Sequence, residues 1–172
     1  MLSPRWMIAH NLHFVSAALL LFGVVGLYAA HIGRLTVYGH FAFVVALMGC
    51  AFYFAGGVVT AAILPFIAGT APNVVAATGP LFHPPLPVLI VSAAVFSIGW
   101  IGVGVIVAQS GLAPAWSGWM VAIGAVIQAI PPVPFGSAPW VVTDIGWSIL
   151  AVGLVGIAVH GWRVAPRPEL AS

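Results

Sequence analysis

The apolar stretch over residues 39–66 limits the fold of this chain more than any other feature of its sequence. It carries no charged side chain, and as a helix it would be about 42 Å long, more than the roughly 30 Å hydrocarbon core of a bilayer. A seam of mostly small residues follows it at alternating steps of three and four: Gly39, Ala42, Ala46, Gly49, Tyr53, Gly56 and Thr60. Because small residues let helix backbones approach closely in lipid, we predict a central, packed membrane helix.

Composition extends this reading to the whole chain. Hydrophobic residues make up 63% of the 172 residues and charged residues only 3%. A soluble domain cannot cover its surface with so few charges, and disordered chains are far more polar. The formal net charge of +2 comes from four arginines, which the predicted spans place near helix ends. We therefore expect a lipid bilayer as the partner of this surface, and no nucleic acid.

The predicted fold is all-α, a polytopic transmembrane helix bundle of about five spanning helices that forms a single domain over residues 1–172. Glycines, prolines and tryptophans mark the ends of the apolar runs. The predicted spans and tail are about 13–30, 39–66, 88–108, 115–130, 140–162 and 163–172.

Arginines indicate an orientation. With five spans, Arg34, Arg163 and Arg167 fall on one side of the membrane and Arg5 on the other. Cytoplasmic loops carry an excess of basic residues, so we expect the C-terminus in the cytoplasm. The proline-rich connections 69–87 and 131–139 then lie outside.

A transition-metal site is one hypothesis for the outer side. His10 and His13 are three residues apart and share a helix face, and His83 with Asp144 could complete the ligand set. Asp144 is also a functional-site hypothesis in its own right, as an acid inside a predicted span. The alternatives are histidines solvated at helix ends, and a carboxylate at the interface near a helix N-terminus, where Thr143 or Asp144 caps.

A b-type haem is the corresponding hypothesis for the inner side. It needs two histidines at equal depth on facing helices, and His31, His40 and His160 have plausible depth. No catalytic residue is predicted, since the sequence holds no nucleophilic triad, phosphate-binding glycine loop or zinc-finger spacing.

Small-residue seams also indicate association. The predicted fourth span carries a second one: Gly118, Ala122, Ala125 and Ala129. Such seams serve either packing within one chain, contact with other membrane subunits, or self-association.

Residues 111–119 read GLAPAWSGW and lead to Gly124; residues 144–147 read DIGW and precede a Gly-x-x-Gly helix that ends in Arg163. This pattern resembles a group of uncharacterised bacterial multi-pass membrane proteins, grouped only as a domain of unknown function. The resemblance implies the same architecture and the bacterial plasma membrane, and it carries no catalytic residues.

The function expected is that of a non-enzymatic integral membrane protein, either an accessory subunit or a small binding protein. The first alternative is a haem- or metal-binding redox protein that uses the histidines. The second is a small-solute transporter or channel, in which Asp144 or Gln128 would carry the flux.

Overall fold

A computed structural model describes residues 3–74, 86–130 and 139–164 of the protein. Within those ranges every regular element is helical and no strand forms, which confirms the all-α prediction. The six α-helices, in chain order, are α1 Pro4–His31, α2 Val37–Val58, α3 Leu64–Thr70, α4 Leu86–Ser110, α5 Ala115–Gln128 and α6 Pro139–Val164.

Four helical stretches are long and apolar enough to cross a membrane: Pro4–Arg34, Val37–Thr70, Ile90–Ser110 and Val141–Val164. A membrane bundle fits this composition. Helix α5, which covers the predicted span 115–130, has only 14 residues. At about 1.5 Å per residue it is about 21 Å long, which is shorter than the hydrocarbon core.

Helix α1 begins earlier than the span predicted for residues 13–30. The hydroxyl of Ser3 accepts a hydrogen bond from the backbone N–H of Trp6 at 3.2 Å, and Pro4 occupies the first turn, where its missing N–H costs nothing. The polar side chain of Asn11 donates to a carbonyl of the preceding turn at 2.8 Å. Polar residues that precede the predicted span are thus accommodated within the helix.

A π-helical turn, Val59–Ile63, joins α2 to α3. Pro65 follows it in the first turn of α3. Proline has no N–H, and its ring clashes with the carbonyl four residues earlier, so a locally wider turn relieves the clash. The second predicted span therefore continues through Pro65 to Thr70 rather than ending there.

The chain divides into two compact units, an N-terminal unit, Met1–Gly99, and a C-terminal unit, Trp100–Ser172. Helix α4 supplies residues to both. The single domain over residues 1–172 stays a prediction.

In the N-terminal unit, α2 packs against α1 on one side and against α4 on another. The rings of Phe14 and Phe54 lie 5.3 Å apart across the antiparallel α1–α2 hairpin. Gly49 lies so close to Phe96 of α4 that a Cβ would overlap the backbone there, and Gly99 is packed in the same way on Ala46. The expectation of a packed second helix agrees with these contacts.

The buried stripe of α2 departs from the predicted seam at its far end. Gly39, Ala46 and Gly49 are buried as expected, but next comes Gly57, while Gly56 is exposed with open space at its Cβ position. The predicted seam repeats every 3.5 residues, whereas a straight helix repeats every 3.6. Over five turns the buried face therefore moves on by about half a residue, which favours Gly57 over Gly56.

In the C-terminal unit, α5 is packed on two faces. Gly118 and Ala122 fit against Gly104 of α4. A neighbouring face of α5 packs on α6, where Gly124 lies against Leu150 and Gly153 against Val121. The predicted seam of the fourth span is thus used within the chain at Gly118 and Ala122. The turn before α5 contains Gly111, whose φ of 68° suits glycine.

Candidate functional site

The α1–α2 hairpin brings a histidine and a tyrosine together near the start of α1. His13 Nδ1 and the Tyr53 hydroxyl are 3.0 Å apart, and the two ring centroids are 4.5 Å apart. Tyr53 also contacts Phe96 of α4, with 5.5 Å between ring centroids. Gly57 packs against the same part of α1, because its Cβ position lies 3.2 Å from Phe14 Cα and 3.5 Å from His13 Cδ2.

A second pair of the same kind lies at the other end of the hairpin. The Tyr28 hydroxyl is 3.0 Å from His40 Nδ1, and the rings meet edge to face with centroids 5.7 Å apart. Tyr28 is backed by Phe43, whose ring centroid is 5.6 Å away. Each His–Tyr pair therefore joins α1 to α2 through polar atoms set among aromatic rings.

The spacing of the two pairs places them relative to a membrane. The two pairs are roughly 20 Å apart along the hairpin at about 1.5 Å per residue. The hydrocarbon core is about 30 Å thick, so if the hairpin spans it, at least one pair lies within the core. Arg5 and Arg34, at the two ends of the first span, are about 44 Å apart by the same measure, which matches a bilayer with its headgroups. With those arginines among the headgroups, both pairs lie just inside the apolar region.

The depth of these pairs in the membrane determines how much they contribute to stability. A polar side chain in hydrocarbon is costly unless it finds a partner, and each histidine has one across the helix interface. Hydrogen bonds of this kind contribute about 0.6 kcal/mol on average between membrane helices. Each contact also favours one register of the hairpin, because a slip would separate that histidine from its tyrosine.

Two other histidines bond within α1. His10 Nδ1 lies 2.8 Å from the Trp6 carbonyl oxygen, and His31 Nδ1 lies 2.9 Å from that of Leu27. A carbonyl oxygen only accepts, so Nδ1 carries the proton in both rings. The Nε2 atoms are then the ones that a metal ion or a haem iron would bind.

The three residues of the haem hypothesis are divided between the units. His31 and His40 lie in the N-terminal unit, where their Nδ1 atoms are engaged as above, and half-buried His160 lies in the last turns of α6. Haem binding by His31, His40 and His160 stays a prediction.

For the metal hypothesis, His10 and His13 lie one turn apart on α1, and His83 lies outside the described residues. Across residues 3–74, 86–130 and 139–164, no three His, Cys, Asp or Glu side chains come together in a way that could hold a metal ion. A site that includes His83 and Asp144 stays a prediction.

Asp144 is exposed, in the second turn of α6. Helix α6 begins at Pro139, so Thr143 and Asp144 both lie inside it. Neither residue caps the helix, as the sequence had suggested one of them would. Asp144 and Arg163 are about 28 Å apart along the helix, close to the thickness of the hydrocarbon core. That spacing agrees with the interfacial interpretation of Asp144.

The pairing of tyrosines with histidines is what the reading of the sequence missed. A signal for it exists, because an antiparallel hairpin that turns near Arg34 brings positions equally far from the turn together. Tyr28 and His40 are such positions, and so, within two residues, are His13 and Tyr53. The periodic pattern identifies Tyr53 only as a member of the small-residue seam.

Comparison with known proteins gives no match. No protein-family model matches the chain, and no curated protein or solved structure matches it. The resemblance to bacterial proteins of unknown function rests on the glycine, proline and tryptophan motifs of the sequence.

Proposed function

We propose that the protein is a non-enzymatic integral membrane protein of the bacterial plasma membrane, an accessory subunit that binds a helix of another subunit through α1. Four helices of membrane-spanning length support the membrane setting. The polar groups of the α1–α2 hairpin support a structural use of its histidines. His10 and His31 bond to their own helix, and His13 and His40 bond to tyrosines.

The observation that carries the proposal is the open face of α1. Gly23 and Gly26 are exposed, and within the described part of the N-terminal unit nothing lies within 4 Å of the Cβ position of either. Ser16 and Ala30 are exposed at matching helical spacing, so the four residues form one face, which we call the α1 open face. By contrast, Gly49 and the helical glycines of α5 are closed against neighbouring backbone.

A glycine inside a helix costs about 1 kcal/mol relative to alanine, and in membranes close helix packing offsets that cost. Among the described residues of the N-terminal unit, no close helix contact offsets it at Gly23 and Gly26. Helix α1 is also the least buried span, with 11% of its apolar window buried against 28% to 39% for the other three. A partner helix on the α1 open face accounts for both features.

Cysteine cross-linking in native membranes tests this proposal. A Ser16→Cys variant places a thiol on the α1 open face, and Ser148→Cys places one at an exposed position of α6 as the matched control. The native Cys50 is fully buried and serves as the background. A thiol-reactive benzophenone attached to the introduced cysteine forms, on illumination, a bond to a C–H group of whatever helix lies beside it. We expect it to join Ser16→Cys, and not Ser148→Cys, to a different protein, and Gly23→Leu with Gly26→Leu to abolish the product.

Two outcomes would overturn the proposal. A product at twice the 17.7 kDa chain mass would mean self-association instead, and no product would leave α1 facing lipid. Independently, a Soret band from stoichiometric haem that is lost in His40→Ala or His160→Ala would favour the redox alternative.

A further inference from the structure

A groove of about 400 Å³ runs along the C-terminal half of α6, beside the start of α5. Its walls are almost entirely apolar, with Val152, Val155 and Val159 on α6 and Trp116 on α5. His160 and Arg163 close one end of it. The groove is therefore apolar along its length and basic at one end.

Close packing of α5 on α6 builds the floor. A Cβ on Gly156 would come within 2.5 Å of Trp116 Cη2, so the glycine lets the indole approach α6 closely. Gly153, one turn earlier, fits against Val121 in the same way. The groove is therefore a consequence of the α5–α6 pairing within the C-terminal unit.

The dimensions of the groove match one leaflet of a bilayer. Val152 and Arg163 are about 16 Å apart along the helix, and half of a 30 Å hydrocarbon core is about 15 Å. Trp116 and Trp162 are exposed at the basic end, where tryptophans mark the boundary between hydrocarbon and headgroups. Arg163 is therefore at headgroup depth, and Val152 is near the midplane.

Among the described residues that line the groove, both titratable side chains are basic, His160 and Arg163. Asp144 on the same helix is about 28 Å from Arg163. The N-terminus of α5 begins at Ala115, next to the lining residues Pro114 and Trp116, and its dipole also favours an anion. Arg163 and this helix N-terminus border the same groove, and a guanidinium binds phosphate oxygens through paired hydrogen bonds.

We propose that this groove binds one anionic phospholipid, with an acyl chain along Val155 and Val159 and the headgroup phosphate on Arg163. Arg163 donates to the phosphate oxygens, and Trp116 covers the glycerol region. The site depends on α5 and α6 alone, so it stands or falls separately from the partner proposed for α1.

Native mass spectrometry of the full chain tests this proposal, after purification in a non-ionic detergent and titration with phosphatidylglycerol or phosphatidylcholine. We expect one phosphatidylglycerol per chain to be retained preferentially. Arg163→Gln should weaken its binding about fivefold, the effect of one basic residue near a lipid headgroup. Arg34→Gln, which removes an exposed arginine outside the groove, should leave binding unchanged.

A second variant tests the apolar part of the site. Val155→Trp fills the groove at an exposed position and should prevent lipid binding, whereas Val141→Trp, at a similarly exposed position of α6 outside the groove, should not. Circular dichroism confirms that each variant is folded. Equal affinity for the two lipids, an unchanged affinity in Arg163→Gln, or full retention by Val155→Trp would overturn the proposal.

Discussion

Tyr53 Oη lies 3.0 Å from His13 Nδ1, and the tyrosine ring also contacts Phe96, so one side chain of α2 joins α1 and α4. Tyr53 is thus a point at which three helices of the N-terminal unit, α1, α2 and α4, meet. A polar contact that occupies such a point, inside the predicted membrane span, has consequences for stability that can be measured.

Removal of the Tyr53 hydroxyl should destabilise the protein. We expect Tyr53→Phe to lower the free energy of unfolding by about 0.6 kcal/mol, and by no more than about 1.7 kcal/mol, the range for interhelical hydrogen bonds in membranes. Unfolding in mixed micelles by added sodium dodecyl sulfate measures this difference. Tyr38→Phe is the matched control, because Tyr38 is 83% exposed and its hydroxyl should contribute nothing. Equal effects of the two substitutions would contradict a role for the Tyr53–His13 pair.

The two ends of the α1–α2 hairpin should contribute independently. Tyr28→Phe removes the contact with His40, which lies roughly 20 Å from the Tyr53–His13 pair. Sites that far apart are usually additive to within about 0.5 kcal/mol. The double variant with Tyr53→Phe should therefore lose the sum of the two single effects, measured by the same unfolding titration. A loss well above the sum would mean that the two pairs act together on hairpin register.

Substitution of alanine for glycine should have opposite effects on stability at two positions in the helices. A Cβ at Gly99 would overlap the backbone of Ala46, so Gly99→Ala should cost about 1–3 kcal/mol, as overpacking does in well-packed cores. Gly56 has open space at its Cβ position, so Gly56→Ala should be neutral or stabilising by up to about 1 kcal/mol. Thermal denaturation of the purified variants in one detergent gives the order. Destabilisation by Gly56→Ala to the same extent as by Gly99→Ala would show that something covers Gly56.

Membrane topology depends on the short helix α5. If all five predicted spans cross, the termini lie on opposite sides, and the arginine distribution places the C-terminus in the cytoplasm. We then expect a C-terminal green fluorescent protein fusion to be fluorescent and a C-terminal alkaline phosphatase fusion to be inactive. N-terminal labelling with an impermeant reagent completes the assignment. Termini on the same side would mean that the 14-residue α5 does not cross the bilayer.

Much of the helical layout follows from apolar runs alone. The second and fifth predicted spans lie within helical stretches, and Gly118 and Ala122 pack as their spacing indicates. Boundaries were less predictable, because Ser3, Pro4 and Asn11 read as interfacial by polarity yet begin and continue a helix. Histidine roles were less predictable still, since a periodic pattern says which face a ring occupies but not which side chain it meets.

The sequence by itself determined the class of this protein, because 63% hydrophobic residues and 3% charged residues fit only a surface surrounded by lipid. It also determined that small residues would carry the helix packing. Only the tertiary structure decided that Gly57 rather than Gly56 is buried, and that His13 and His40 each meet a tyrosine. The physical reason is that these contacts depend on how two helices are rotated and registered against each other, which no single helix specifies.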